Sequence, residues 1–219
     1  MRYKGAIFDL DGTILDSIPL WSGVGERYLL SLGIVPPPQL KRALKNMSLR
    51  QAAEHFIEAF QLDLTPDGVI QEINGLIADH YKKTLQLKPY VKEFLMALKS
   101  KGVKMCIATM SDKALTESAL ARLGVLSCFE FVLTCEEVGA SKDQPDIYLQ
   151  AAQGLGLPIE EVLVFEDSPH CIETAKTAGF TVVGVYESTA GDRVERMKRF
   201  SDHFIYSFQD LEYLTALFE

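Results

Sequence analysis

The chain is predicted to be a three-layer α/β protein, a parallel sheet covered by helices on both faces, interrupted once by an inserted all-helical domain. Three observations predict this. Six short apolar runs read as buried strands, helix-periodic stretches separate most of them, and one long interval between the first two runs contains no strand pattern. A chain of 219 residues with 47% hydrophobic content suffices for one sizeable core with a smaller insert.

The first run is "GAIFDL" (5–10), followed by "VKMCIAT" (103–109), "FEFVLT" (129–134), "VLVFED" (162–167), "TVVGV" (181–185) and, more weakly, "HFIYS" (203–207). Between them stand "YVKEFLMALKSKG", "DKALTESALARLG", "PDIYLQAAQGLG" and "SPHCIETAKTAG". Each has apolar residues at helical spacing and a glycine near its end, where a helix C-cap belongs. Strand alternating with helix implies parallel pairing with both faces covered. From Asp16 to Gln86 the text instead reads as consecutive helices: "SIPLWSGVGERYLLSLG", "PPQLKRALKN", "SLRQAAEHFIEAFQL" and "DGVIQEINGLIADHYKKTLQL". A crossover needs only about a dozen residues. The interval 16–86 is therefore expected to be an inserted helical domain, with 1–15 and 87–219 forming the core. "PPP" (36–38) would be an internal turn and Lys88-Pro89 the return hinge.

Composition narrows the partners. A net charge of −8 and a pI near 5.1 argue against nucleic-acid and anionic-membrane binding, which select basic patches. Cys106, Cys128, Cys135 and Cys171 form no CxxC pair, which disfavours a zinc ribbon or a disulfide framework; reduced thiols are expected. The histidines, His55, His80, His170 and His203, show no metal spacing. No run reaches the roughly 18 apolar residues of a membrane span, and aspartate interrupts "MRYKGAIFDLDG" too early for a signal peptide. A soluble, cytoplasmic protein is expected, and nothing demands more than a monomer.

In an open parallel sheet, ligands sit beyond the carboxyl ends of the strands. The polar oddities of this chain fall there. Asp9 and Asp11 close the first strand, Thr109 the second, and Glu166 and Asp167 the fourth; Lys142 lies in "GASKDQPD" after the third. Two carboxylates about 4 Å apart repel by roughly 1 kcal/mol in water and about 4 kcal/mol near a protein surface, so a cation is expected beside Asp9 and Asp11. Carboxylates without His or Cys nearby favour a hard cation such as Mg²⁺ over zinc. Gly12 permits a tight turn, and Thr109 and Lys142 can donate to an anion, so a phosphate would complete the charge balance.

"DLDGT", a strand ending in Thr109, Lys142 before "PDIY", and "FEDS", in that order, resemble the four motifs of the haloacid dehalogenase-like superfamily in its phosphatase branch. The resemblance covers essentially the whole chain. It implies a Rossmann-like core with a helical cap of the C1 type after the first motif. It also implies two-step phosphoryl transfer, in which Asp9 becomes an aspartyl-phosphate and Asp11 serves as general acid and then base. Mg²⁺ would be held by Asp9, the Asp11 backbone carbonyl and Asp167, with Glu166 in support. Thr109, the Met110 backbone N–H and Lys142 would hold phosphate oxygens. Trp21, Ser48 and Arg50 stand where a cap would meet its substrate, a small phosphorylated metabolite, with sugar phosphates favoured because Trp21 could stack on a ring. Trp21 can equally be read as a packed residue of the cap core, Ser48 as a helix N-cap and Arg50 as a solvated side chain.

Two departures from the family pattern stand out: Asp143 where proline often follows the lysine, and Met110 where a small or polar residue is more usual. Among alternatives, a phosphohexomutase similar to β-phosphoglucomutase is disfavoured on three counts. Thr13 replaces an apolar residue, Trp21 a histidine and Leu49 an arginine. A non-catalytic phosphate-ester-binding relative fits poorly with a full catalytic set. Read as an EF-hand, "DLDG" would put Ile14 where glycine is needed and Leu20 where the bidentate Glu belongs. A receiver domain would lack the helical insert.

Overall fold

The computed structural model describes residues 2–44 and 47–219. In chain order the elements are β1 (Gly5–Phe8), α1 (Ile18–Trp21), α2 (Val24–Ser31), α3 (Leu40–Leu44), α4 (Leu49–Phe60) and α5 (Pro66–Asp79), which runs into a π-helical turn, His80–Thr84. Then follow α6 (Val91–Ser100), β2 (Lys104–Thr109), α7 (Lys113–Arg122), β3 (Phe131–Thr134), α8 (Cys135–Val138), α9 (Asp146–Leu155), β4 (Val162–Glu166), α10 (Pro169–Thr177), β5 (Thr181–Val185), α11 (Val194–Phe200), β6 (His203–Ile205) and α12 (Leu211–Ala216). The chain divides into two compact units, Met1–Asp16 with Leu85–Glu219, and Ser17–Thr84.

The first unit is the α/β core, a six-stranded sheet in the order β3-β2-β1-β4-β5-β6 with every pair parallel. All six predicted strands are present. The third begins at Phe131 rather than Phe129, and the first ends at Phe8, which leaves Asp9 as the first residue beyond it. The register sets Phe8 level with Ile107 of β2 and Phe165 of β4, so the strand ends align along one edge. β1 and β4 are buried throughout because both faces are covered, and this explains their uninterrupted apolar runs. On one face Ile7, Cys106, Val164 and Val182 pack with Tyr148 and Ala151 of α9, Ile172 of α10 and Met197 of α11. Phe8 stacks on Phe165 at 4.6 Å and meets Phe94 of α6 edge-on at 6.2 Å, within an aromatic cluster that Phe208 extends. Such pairs add about 0.5–1.5 kcal/mol beyond area burial.

The second unit is all helical. Thr65 caps α5 by accepting from Gly68 N, with Pro66 at the first helical position. Ser48 and Gln51 form a reciprocal capping box at the start of α4. Its interior includes Tyr28, Leu29, Phe56, Val69, Ile73 and Tyr81. The cysteines are free, as expected.

Candidate active site

The site is built on the loops that leave β1, β2, β3 and β4. Asp9 is tied to the sheet edge by its N–H, which donates to Phe165 O at 3.0 Å, and its residue is only 8% exposed. The next six residues fold into a closed turn: Ile14 N and Leu15 N both donate to Leu10 O, and Gly12 N donates to Leu15 O. Gly12 has φ +90°, a conformation that costs an L side chain dearly, which is the reason for glycine there. The turn aims Asp11 at the β2 loop, where Ser111 Oγ donates to Asp11 Oδ2 at 2.5 Å. Thr109 is buried, and its hydroxyl accepts from Ser111 N at 3.0 Å; Met110 between them exposes its side chain.

Lys142 is carried by the loop after α8. That helix starts at a capping box between Thr134 and Glu137 and ends at Gly139 in the left-handed region. The lysine is 1% exposed, and its ammonium donates to Asp9 Oδ1 at 2.5 Å and to Glu166 Oε1 at 2.8 Å. Tyr148 OH of α9 also donates to Glu166 Oε1, at 3.1 Å. The other oxygen, Oε2, accepts from Asp167 N and Ser168 N at 2.9 and 3.3 Å. Asp167 Oδ1 accepts from Thr13 Oγ1 at 3.3 Å. A buried carboxylate with this many donors is fully engaged, and Glu166 is best understood as the group that fixes Lys142.

The electrostatics follow from burial and from crowding of like charge. Burial, then the Glu166 charge, push the Asp9 carboxyl up to about 7 against the pull of Lys142. Asp167 is raised well above its ordinary value by burial and by the Asp9 and Glu166 charges. Burial would raise Glu166 too, but the Lys142 ammonium and the Ser168 N–H outweigh it and hold this carboxyl low. Lys142 itself stays charged: burial opposes this, yet two carboxylates hold its pKa well above the usual lysine value. Among the described residues, the Lys142 ammonium thus bonds the carboxyl groups of Asp9 and Glu166, with those of Asp167 and Asp11 close by.

Among the described residues, Asp9, Glu166 and Asp167 can present oxygens within 4.8 Å of one another. An all-oxygen donor set of this kind fits a hard divalent cation, whose charge would reverse the upward shifts of Asp9 and Asp167. The structure thus brings together Asp9, Lys142, Glu166 and Asp167, with Asp11 and Thr109 joined through Ser111. Trp21, Ser48 and Arg50 belong to the helical unit. There Trp21 Nε1 donates to Tyr81 OH at 2.9 Å, Ser48 caps α4, and Arg50 pairs with Asp67 at 2.5 Å. Ser111 and Tyr148 were not singled out from the sequence. Ser111 stands in "ATMSD", next to the strand-end threonine, which was the available signal; Tyr148 reads simply as a core residue of an amphipathic helix.

A family model described as haloacid dehalogenase-like hydrolase matches residues 6–185, most of the chain and all four site loops. The chain belongs to the haloacid dehalogenase-like hydrolase family. This hydrolase is 32% identical to the fructose-1-phosphate phosphatase YqaB of Escherichia coli, over 84% of this chain and 97% of that protein. It is 28% identical to the phosphorylated carbohydrates phosphatase of Thermotoga maritima, over 84% of this chain and 86% of that one. Its fold superposes on the β-phosphoglucomutase of Clostridium difficile with a TM-score of 0.80 at 20% identity, covering 99% of this chain and 97% of the other. At that identity the likeness concerns the fold alone.

Proposed function

We propose that this hydrolase is a Mg²⁺-dependent phosphatase that cleaves a small phosphate monoester, with sugar phosphates favoured, through an aspartyl-phosphate on Asp9. The observation that carries the reading is the buried Lys142 ammonium bonded to Asp9 Oδ1, with Glu166 and Asp167 alongside. A lysine sequestered at this depth, among three carboxyl groups, fits a site that receives an anion and a cation together.

In the first step an Asp9 oxygen attacks phosphorus, the new P–O bond forms as the ester P–O bond breaks, and Asp11 gives its proton to the departing alkoxide. In the second, water attacks the phosphorus of the acyl phosphate, Asp11 takes the proton, and the Asp9 carboxylate is regenerated. Ser111, bonded to Asp11 Oδ2, keeps that carboxyl oriented through the change of role. Lys142 and Thr109 stabilise the phosphoryl oxygens. Asp9, Asp167 and the Asp11 carbonyl would hold Mg²⁺, with Glu166 in support through Lys142; the ion when bound neutralises phosphoryl charge and lowers the Asp9 pKa.

The unit Ser17–Thr84 is assigned as the cap. Of its three candidates Trp21 is the favoured substrate contact, because an indole ring face can stack on a sugar even while Nε1 donates to Tyr81 OH. The Ser48 hydroxyl is engaged by Gln51 N, and Arg50 by Asp67. The curated relatives named for sugar phosphates support that substrate class. Action in the cytoplasm as a monomer is part of the reading; among the described residues no helix is long and apolar enough to cross a membrane.

The test is a screen of sugar phosphates, phosphoglycolate and nucleoside monophosphates with and without Mg²⁺, alongside Asp9→Asn. Phosphate release that needs both Mg²⁺ and Asp9 is the expected result. Conversion of β-glucose 1-phosphate to glucose 6-phosphate without release would replace the phosphatase by a mutase. Ester binding with no turnover would replace it by a binding protein.

A further inference from the structure

One part-buried charge in the core unit takes no part in the chemistry above. Lys88 stands just past the return of the chain to the core, its side chain 15% exposed. Its ammonium donates to Gly12 O and to Tyr186 O, both at 2.7 Å, and pairs with Glu187 Oε2 at 3.4 Å; the Glu187 side chain is 5% exposed. Its own N–H donates to Ile14 O at 2.8 Å, and Asp16 N donates to Gln86 O at 3.0 Å, so the outgoing and returning strands of chain are laced together here. The three donor directions of one ammonium therefore join the turn after Asp9, the return segment and the loop after β5.

Gly12 O is the telling acceptor. Every peptide bond in the described chain is trans, so a Gly12 carbonyl held toward Lys88 points the Thr13 N–H the opposite way. The Thr13 hydroxyl, on the next residue, donates to Asp167 Oδ1. The Lys88 charge is also felt at Asp167, where it opposes the upward shift that burial imposes. One ammonium thus bears on both acidic loops without touching the reacting groups.

We infer that Lys88 is a positioning residue of the phosphatase, which orients the Asp11-Gly12-Thr13 turn and, through Thr13, the Asp167 carboxylate. The inference rests on the phosphatase reading. A role confined to stabilising the part-buried Lys88–Glu187 pair is the alternative, and the two separate by which partner is removed.

The experiment compares wild type with Lys88→Met, Lys88→Arg, Glu187→Gln and the double variant Lys88→Met/Glu187→Leu. Each is assayed for Mg²⁺-dependent hydrolysis of p-nitrophenyl phosphate and for the amide NMR signals of Gly12 and Thr13. The double variant removes the whole ion pair, so no unpaired charge is left buried if Lys88→Met fails to fold. Lys88→Met and the double variant are expected to lose about 10- to 100-fold in kcat, the scale of a small misplacement, with KM within about threefold of wild type. Their Gly12 and Thr13 signals should move. Lys88→Arg should recover part of the loss, and Glu187→Gln, which leaves the Gly12 bond in place, should stay within about threefold in kcat. The inference is overturned if the folded double variant keeps wild-type kcat and unmoved Thr13 signals, or if Glu187→Gln loses as much kcat as Lys88→Met. A wild type that releases phosphate from no ester defeats the phosphatase reading instead, and the NMR shifts then still report whether Lys88 orients the turn.

Discussion

Replacing Lys142 by methionine removes the ammonium shared by Asp9 and Glu166 while keeping most of its apolar stem. Three carboxyl groups then face one another with oxygens within 4.8 Å. At an effective dielectric of about 20, two unit charges at that separation repel by about 3.5 kcal/mol, and removing one partner of a buried pair generally costs about 3–5 kcal/mol. We expect a loss of that size at about pH 8 without metal. The pH dependence gives the sharper check. In the variant, burial and mutual repulsion raise both Asp9 and Glu166 above their unfolded values, so the folded state binds more protons and gains stability as pH falls. In wild type Asp9 is already raised, to about 7, so the difference lies chiefly in Glu166, which is held low and whose contribution is lost only as pH falls through its depressed folded pKa. The gap between the two proteins should therefore narrow by about 1.4 kcal/mol per pH unit for each proton by which they differ. Urea unfolding in EDTA at about pH 8 and about pH 6 measures it, followed by far-UV circular dichroism because the single tryptophan, Trp21, lies in the other unit. A gap of equal size at both pH values would refute the reasoning.

Three further outcomes concern stability away from the site. Tyr90, half-exposed at the N-cap of α6, has φ +65°, so Tyr90→Gly should relieve about 1 kcal/mol of left-handed strain, partly offset by unfolded-state entropy, and calorimetry should show a raised Tm. Ser48→Ala removes the acceptor of the α4 capping box and should cost about 1 kcal/mol, read as faster hydrogen exchange in that helix; unchanged exchange would contradict the capping role. Asp202 is part-buried, which would raise its carboxyl, but Lys176 and the Val182 N–H hold it below its ordinary value. Its contribution is therefore present above the unfolded carboxylate pKa and lost as pH falls through the folded one. The deficit of Asp202→Asn at neutral pH, about 1 kcal/mol, should shrink below about pH 4 in equilibrium unfolding.

Much of the fold was legible because β1, β2 and β4 are buried on both faces and so read as continuous apolar runs. The helices between them announce themselves by period and by a C-terminal glycine. The short α8, α11 and α12 were not anticipated: four to seven residues hold too few turns to show a period. The π-helical turn at His80–Thr84 likewise leaves no mark in an otherwise ordinary helical stretch. At the site, Asp9, Asp11, Glu166 and Asp167 were visible because carboxylates at the end of an apolar strand are out of place. Ser111 and Tyr148 were not, since each is an unremarkable residue of its own segment, and Lys88 was legible only as part of the return hinge.

Local pattern alone therefore determined the strands, most of the helices, the strand-free interval after the first strand and the strand ends where polar chemistry collects, because periodicity and burial are properties of neighbouring residues. Only the folded chain decided that Lys142 lies within bonding distance of Asp9, 133 positions away in sequence, or that Lys88 holds the Gly12 carbonyl from 76 positions away. Charge pairing of that kind depends on distances of a few ångströms between remote segments, and those distances exist only once the sheet has closed.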